Sequence, residues 1–381
     1  MSKKFIISGV SPGPAGVGRV MQYLIANVQG ATFLHPPFHR RVSVKQSLSA
    51  FQFFTLLKGS FLFIIHILNQ WIFELNLWTL NGKHLIVLHP QTVGFTRIKK
   101  LISRNRVSLY LMDNSFFCIR SYNYLNNHLK PCLLCLNLQY QNSKAQSCSS
   151  FPVNYTYDEY FDFIEFLNRN TNRINFFTQN RGQEELLKMQ FGPDIQFKQI
   201  GLLTSDMFEN INDRAYIIEG TYDIVFHGDD QQAKGSLYLF EIAKKLPQYS
   251  FLFPFSPFAD TTPNNTFFIP MTWTSGLREY VQNSIITFCP SIWSAPIEGS
   301  VVKTLKMGVA IGLFDAEYSF SKEIPNEVAF KLTGILANDI DLLKSLIESK
   351  RYIQMAKLGK DHITSRIDEM IKGFDSVFKV N

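Results

Sequence analysis

Short apolar runs bounded by Gly, Pro, Asn or Ser alternate with segments of helical period, and this alternation constrains the fold more than any other feature of the chain. The first series has runs at 5–8, 33–35, 85–88, 107–112, 174–178 and 197–203; the second has them at 224–226, 250–254, 267–269, 285–288 and 309–313. Apolar runs without polar alternation suit strands buried on both faces, as in a parallel sheet covered by helices. A polar, mixed stretch at 204–221 separates the two series. At 381 residues the chain suits two domains by the usual ~100–200 residues per domain. The expected fold class is therefore α/β, with two facing Rossmann-like domains, 1–205 and 206–355.

Each half carries a loop suited to an anionic ligand. In the second, the run 285–288 stops at Cys289-Pro290-Ser291, and a loop with Trp293, Pro296 and Glu298 leads through Gly299-Ser300 into an amphipathic segment ending at Gly308. Strand, loop and helix N-terminus in that order present unpaired N–H groups and a favourable dipole to a phosphate. In the first half, the run 5–8 is followed by a glycine-rich loop containing Gly16 and Gly18, then Arg19. Its spacing is not that of the dinucleotide fingerprint, which also needs an acid about 20 residues on; the first acid here is Glu74. A tight structural turn is the other reading of this loop.

The segment from Pro290 to Gly308 resembles the donor site of the large retaining glycosyltransferase family of GT-B fold. That family usually places two glutamates eight positions apart; Ala295 and Lys303 stand there in this chain, and Glu298 lies three residues after the first position. His227-Gly228 and Lys234-Gly235 resemble the opening of the family's C-terminal domain, with Asp229 where arginine is frequent. The loop with Gly16 and Gly18 is similar to the family's Gly-x-Gly turn. His89, after the run 85–88, stands where members often carry a cleft-facing histidine, a structural histidine being the alternative. The resemblance implies a nucleotide-sugar donor and transfer of its sugar, with retention, to a glycan or lipid-linked acceptor in cell-surface polysaccharide or glycoconjugate synthesis. It implies catalytic roles for His89 and Glu298, and donor binding by Gly16, Gly18, Arg19, Gly228, Lys234, Ser300 and Lys303. Lys234 would neutralise the diphosphate as it leaves. A last helical stretch, 356–381, would return to the first domain. The departures at Ala295, Lys303 and Asp229 leave a non-catalytic protein of the same fold as a second reading.

Charge is divided unevenly. Residues 1–150 hold 16 Lys and Arg against two acids, Glu74 and Asp113, whereas the rest hold 22 against 29. A basic half implies an anionic partner. A nucleic-acid-binding protein is a third reading suggested by this charge, but nucleic acid is not expected as a partner, because neither a zinc finger nor an aromatic RNA-binding signature is present. The apolar stretch 51–80, with Phe and Leu on more than one face, is interrupted by Lys58, His66, Asn69, Gln70, Glu74 and Asn76, so it is not read as a transmembrane span. It is either a buried core helix or an amphipathic element resting on an anionic bilayer, next to a basic helix carrying Arg97, Lys99, Lys100, Arg104 and Arg106. The first apolar run is too short for a signal peptide, which places the expected location in the cytoplasm, at the inner face of the membrane.

Four of the five cysteines, Cys118, Cys132, Cys135 and Cys148, follow the pattern C-x13-C-x2-C-x12-C. The C-x2-C pair suits two thiolates on one ion, so a structural zinc is expected. An iron–sulfur cluster and four unrelated thiols are the alternatives, and disulfides are not expected in a reducing compartment.

Overall fold

The protein is described here from a computed structural model covering residues 4–14, 16–37, 53–125, 129–208, 220–257 and 262–379. The first series of elements is β1 (Phe5–Ser8), α1 (Val17–Asn27), β2 (Thr32–Leu34), α2 (Phe53–Thr79), β3 (His84–Leu88), α3 (Pro90–Val93), α4 (Phe95–Arg104), β4 (Arg106–Tyr110), α5 (Gln141–Ala145), α6 (Tyr157–Arg169), β5 (Ile174–Thr178), α7 (Arg181–Phe191) and β6 (Phe197–Gln199). The second is β7 (Ile224–Phe226), α8 (Ser236–Lys245), β8 (Phe251–Phe253), β9 (Thr266–Phe268), α9 (Leu277–Gln282), β10 (Ile286–Phe288), α10 (Gly299–Lys306), β11 (Ala310–Phe314), β12 (Ala329–Leu332), α11 (Leu336–Glu348) and α12 (Arg351–Phe378). Most of the stretch at 204–221 lies outside the described residues.

Each series folds into a six-stranded sheet, and every pairing between neighbouring strands is parallel. Parallel neighbours require crossovers, which the intervening helices supply. The first sheet runs β2-β1-β3-β4-β5-β6 and the second β12-β11-β10-β7-β8-β9. Read from its own first strand, the second has the 3-2-1-4-5-6 order of dinucleotide-binding folds, while the first begins 2-1-3-4-5. Strand order therefore reverses between β1 and β3 in one sheet and between β7 and β10 in the other. Ligands of open α/β sheets sit in the crevice at the carboxyl ends of such strands, and the loops at 9–18 and 227–235, His89 and the Pro290 segment all follow these four strands.

The helix α12 ties the halves together. Ile363, Ile367, Met370 and Phe374 share one apolar cluster with Ile6, Val20 and Leu24 of the first half and Val301, Leu305 and Ile311 of the second. Phe374 meets Tyr110 and Tyr23 with ring centroids 6.0 Å apart in both cases, and Lys4 Nζ donates to the Val377 carbonyl at 2.9 Å. A Cβ on Gly373 would lie 2.8 Å from the Ile200 carbonyl oxygen, so the helix seats directly on the backbone after β6. The edge strand β12 has no counterpart in the sequence reading, and the basic helix α4 ends at Arg104, with Arg106 already opening β4.

Candidate active site

Two backbone loops in contact set the second-domain side of the cleft. Gly235 has φ 74°, and a Cβ there would stand 2.0 Å from the Pro290 carbonyl oxygen, so only glycine lets the loop after β7 lie on the loop after β10. That contact brings Lys234 onto Glu298, with which it forms an ion pair, while Ser291 Oγ donates to Glu298 Oε1 at 2.9 Å. The Lys234 ammonium also lies 5.5 Å from the Trp293 ring centre and 5.6 Å from that of Tyr122, a residue of the first domain. Burial alone would lower the pKa of Lys234, but the Glu298 carboxylate, with Tyr122 and Asp229, outweighs it and holds the amine above its ordinary value. Glu298 occupies the N-cap of α10 without capping it, so its carboxylate serves Lys234 and Ser291 instead of the helix's first N–H groups. Beside it, a Cβ on Gly299 would meet nothing within 4 Å, leaving the start of α10 open to an incoming group.

A second charged group sits where the domains meet. Asp206 Oδ2 accepts from Lys303 Nζ at 3.0 Å and from Arg19 at 2.7 Å. Burial would raise the Asp206 pKa, yet Lys303, a hydrogen bond from Thr204 and Arg19 together bring it below the usual carboxylate value. Lys303 also lies 4.5 Å from the Trp273 ring centre, and Trp273 stacks on His227 with centroids 4.8 Å apart and planes at 5°. His227 Nδ1 is 3.0 Å from Thr304 Oγ1. Burial, followed by Lys303, Arg19 and Lys234, pushes the His227 pKa well below its ordinary value, so the ring stays neutral among three cations. Burial and the nearby Glu298 carboxylate push the Cys289 thiol up to about 12, which leaves it a protonated, hydrogen-bonded neighbour of Ser300 and Thr304.

On the first-domain side His89 follows β3 in left-handed backbone geometry, φ 54°. Its Nε2 donates to Asp113 Oδ2 at 3.1 Å, Gln91 Nε2 donates to the same oxygen at 3.1 Å, and Ser115 N–H donates to Asp113 Oδ1 at 3.0 Å. Burial would raise the Asp113 pKa, but His89 and Ser115 hold it below the usual value. A Cβ on Gly9 would overlap the Thr92 carbonyl carbon at 2.1 Å, so the loop after β1 packs directly on the turn that carries His89. Gly18 likewise lies against Gly13, and Gly16 takes φ 46° at the N-cap of α1, which delivers Arg19 to Asp206. Across the cleft, Asn114 Nδ2 donates to the Ser294 carbonyl at 2.7 Å and Asn123 Nδ2 to Ser294 Oγ at 3.0 Å.

The structure thus gathers Arg19 with Lys303 through Asp206, and Lys234 with Glu298. Gly228 lies against Lys234, where a Cβ would be 3.6 Å from the lysine Cβ, and Ser300 lies in the first turn of α10. His89 belongs to a separate polar group on the first-domain wall. Sequence reading passed over Asp206, Asp113, Tyr122 and Trp273. Asp206 falls in a stretch read as linker, and no local signal in the sequence links it to Arg19 or Lys303.

The structure gives no support to the expected zinc centre. Among the described residues, which include all four cysteines, no group of three or more His, Cys, Asp or Glu side chains is arranged to hold a metal ion. The segment is ordered by other means: Cys132 N–H donates to the Asn123 carbonyl, Cys148 N–H to that of Ser143, and Tyr157 Oη to the Cys148 carbonyl at 2.6 Å. Cys118 and Cys148 are buried thiols, Cys148 beside Phe116, Ile119, Leu136 and Tyr140 in the first-domain core. Burial raises the pKa of both.

The sequence matches no protein-family model and no curated protein. Solved structures do match. Sucrose-phosphate synthase from Thermosynechococcus elongatus aligns over 97% of this chain and 97% of its own, with TM-score 0.59 and 8% identity. HepE from Anabaena, solved in complex with UDP-glucose, aligns over 98% of this chain and 99% of its own, with TM-score 0.57 and 10% identity. A glycosyltransferase from Rickettsia africae ESF-5 aligns over 99% and 98%, with TM-score 0.56 and 12% identity. The fold is GT-B. In this GT-B chain the charged groups described above lie largely buried at the carboxyl ends of the strands where the order reverses in the two sheets.

Proposed function

We propose that the protein is a glycosyltransferase that takes a sugar from a nucleoside diphosphate sugar bound in the cleft and adds it to a hydroxyl of a glycan or lipid-linked acceptor. The observation that carries this reading is the Lys234–Glu298 pair beside the open N-terminus of α10, with Lys303 and Arg19 close by. In the reaction the bond from the sugar's anomeric carbon to the diphosphate oxygen breaks, the acceptor oxygen bonds to that carbon, and the acceptor proton passes to a base. Charge grows on the departing diphosphate, and a fixed ammonium stabilises it more in the transition state than before it. Lys234 is placed for that role once a phosphate displaces Glu298, whose carboxylate then turns to sugar hydroxyls. The α10 N–H groups and the Ser300 hydroxyl supply phosphate contacts.

Lys303 stands where the resembled family has its second glutamate, and its ammonium is already engaged by Asp206. In this chain Asp206 takes over the acceptor role towards ribose hydroxyls, with Lys303 fixing its position. His89, held by Asp113, faces the acceptor side. UDP is the first nucleotide to try, because the similarly folded HepE was solved with UDP-glucose. A thermal-shift and turnover panel of UDP-, GDP-, CMP- and dTDP-sugars tests the proposal: one nucleotide class should raise the melting temperature and release its free nucleotide when acceptor is added. Binding without sugar transfer or donor hydrolysis would favour the non-catalytic reading, to which the Lys303–Asp206 pair lends weight.

A further inference from the structure

On the outside of the first domain, α2 offers water an apolar face. Leu68, Trp71, Ile72, Leu75 and Trp78 recur at helical spacing along one side and are exposed, Trp71 by 65% and Leu75 by 61%, while Phe73, Leu77 and Leu80 on the opposite side are buried in the first-domain core. A helix apolar on both sides of a soluble domain leaves one side without a partner. No helix among the described residues is long and apolar enough to cross a membrane.

The rim of this face is cationic. Residues 83–106 contain Lys83, Arg97, Lys99, Lys100, Arg104 and Arg106 and no acid. Glu74 of α2 pairs with Arg97 at 2.5 Å and Lys99 pairs with Asp162 of α6, so Lys100 and Arg104 carry the charge of this edge. Lys100 holds its ammonium 4.1 Å from the Trp78 ring centre, so an exposed aromatic and an exposed cation share one edge. Tryptophan beside lysine, flanking an aliphatic stripe, is the arrangement that settles at the boundary between headgroups and acyl chains. A second copy of this chain would set the same cationic rim against itself.

We infer that the α2–α4 face docks on an anionic lipid bilayer, lying in the interface without spanning it. A groove of about 520 Å³ between α2 and α4 then opens at the lipid surface and reaches Gln91, which donates to the Asp113 carboxylate beside His89. The relevance of that route to a lipid-linked acceptor rests on the proposed function; the docking itself does not.

Flotation of the full chain with vesicles of phosphatidylcholine alone, or mixed with phosphatidylglycerol, tests it without any nucleotide, so its failure is separable from failure of the glycosyltransferase reading. The wild type should float with the mixed vesicles at low salt, with a blue-shifted tryptophan emission, and lose most binding at high salt. Each basic residue at an anionic surface contributes about fivefold, so Lys100→Glu with Arg104→Glu should lower partitioning by roughly 25-fold or more. Trp71→Ser with Leu75→Ser should lower it at least about tenfold, with an unchanged melting temperature showing intact folding. The inference is overturned if the wild type stays soluble at low salt, or if both double variants float as well as it does. It is also overturned if Trp71→Ser with Leu75→Ser instead converts a dimer to a monomer while no form binds vesicles.

Discussion

At the crevice between β1 and β3 the chain places glycines, a histidine held by a carboxylate, and one arginine that reaches Asp206, the carboxylate also held by Lys303 of the other domain. At the crevice between β7 and β10 it places two buried lysines, each already matched to its own carboxylate. Both crevices bring a pair of loops into backbone contact through one glycine, Gly9 on Thr92 and Gly235 on Pro290. The similarity teaches that topology fixes where a site lies; the difference teaches that the charge placed there divides the labour. On the proposed function, the lysine-bearing crevice holds the phosphates and the histidine-bearing one receives the acceptor.

The comparison breaks most visibly at Asp206, a carboxylate that holds both Arg19 of one crevice and Lys303 of the other. Asp206→Ala leaves Lys303 buried without its partner, a change that typically costs about 3–5 kcal/mol. At ~2–4 °C per kcal/mol for domains of this size, calorimetry should show the melting temperature fall by roughly 6–20 °C. A drop no larger than that of an exposed pair such as Lys244–Glu241 would mean that the cluster is not what joins the two sides. His89→Ala sharpens the division of labour: kcat should fall about tenfold, ~1.4 kcal/mol of transition-state stabilisation, while affinity for nucleotide stays within about twofold. Equal losses in both would place His89 on the donor. Arg19→Ala should cost less, about 1 kcal/mol or below, because its guanidinium is partly exposed and Asp206 keeps Lys303.

The smallest expected effect concerns pH. In the fold the His227 pKa is depressed by burial and its cationic neighbours, whereas in the unfolded chain it lies near ~6.5. Below that value the unfolded chain takes a proton that the folded ring refuses, so stability from this group is present at higher pH and is lost as pH falls through the unfolded value. Between about pH 6.5 and 5.5 the wild type should lose ~1 kcal/mol more than His227→Gln does, measured by denaturant unfolding at each pH. Identical slopes would show that the ring can accept a proton where it lies.

The sheets were legible because a parallel strand is buried on both faces and leaves an uninterrupted apolar run, as at 85–88 and 224–226. β12 escaped because Lys331 interrupts a four-residue edge strand and sends its amine to the Ser321 carbonyl. The spacing from Gly228 to Lys234 was read only as a resemblance; the structure adds that Gly235 must be glycine for this loop to touch Pro290, and that the helix starts at Ser236, two residues later than the sequence suggested. Asp206 was illegible for a different reason: its partners lie 97 residues ahead and at position 19, a pairing that only the folded chain creates. The cysteine spacing does bring the four thiols near enough that, after burial, they raise the pKa of Cys118, Cys135 and Cys148, but among the described residues it does not arrange them around an ion, which a local pattern cannot show.

The central claim is that Lys234 receives the diphosphate of a nucleotide donor. Calorimetric titration of UDP, and of GDP if UDP is silent, into the wild type and Lys234→Ala tests it most directly. One site per chain is expected, with affinity reduced at least about tenfold in the variant, as loss of an ammonium worth ~1–4 kcal/mol at contact distance requires. Absence of binding by either nucleotide, or equal affinity in the two proteins, would contradict the account.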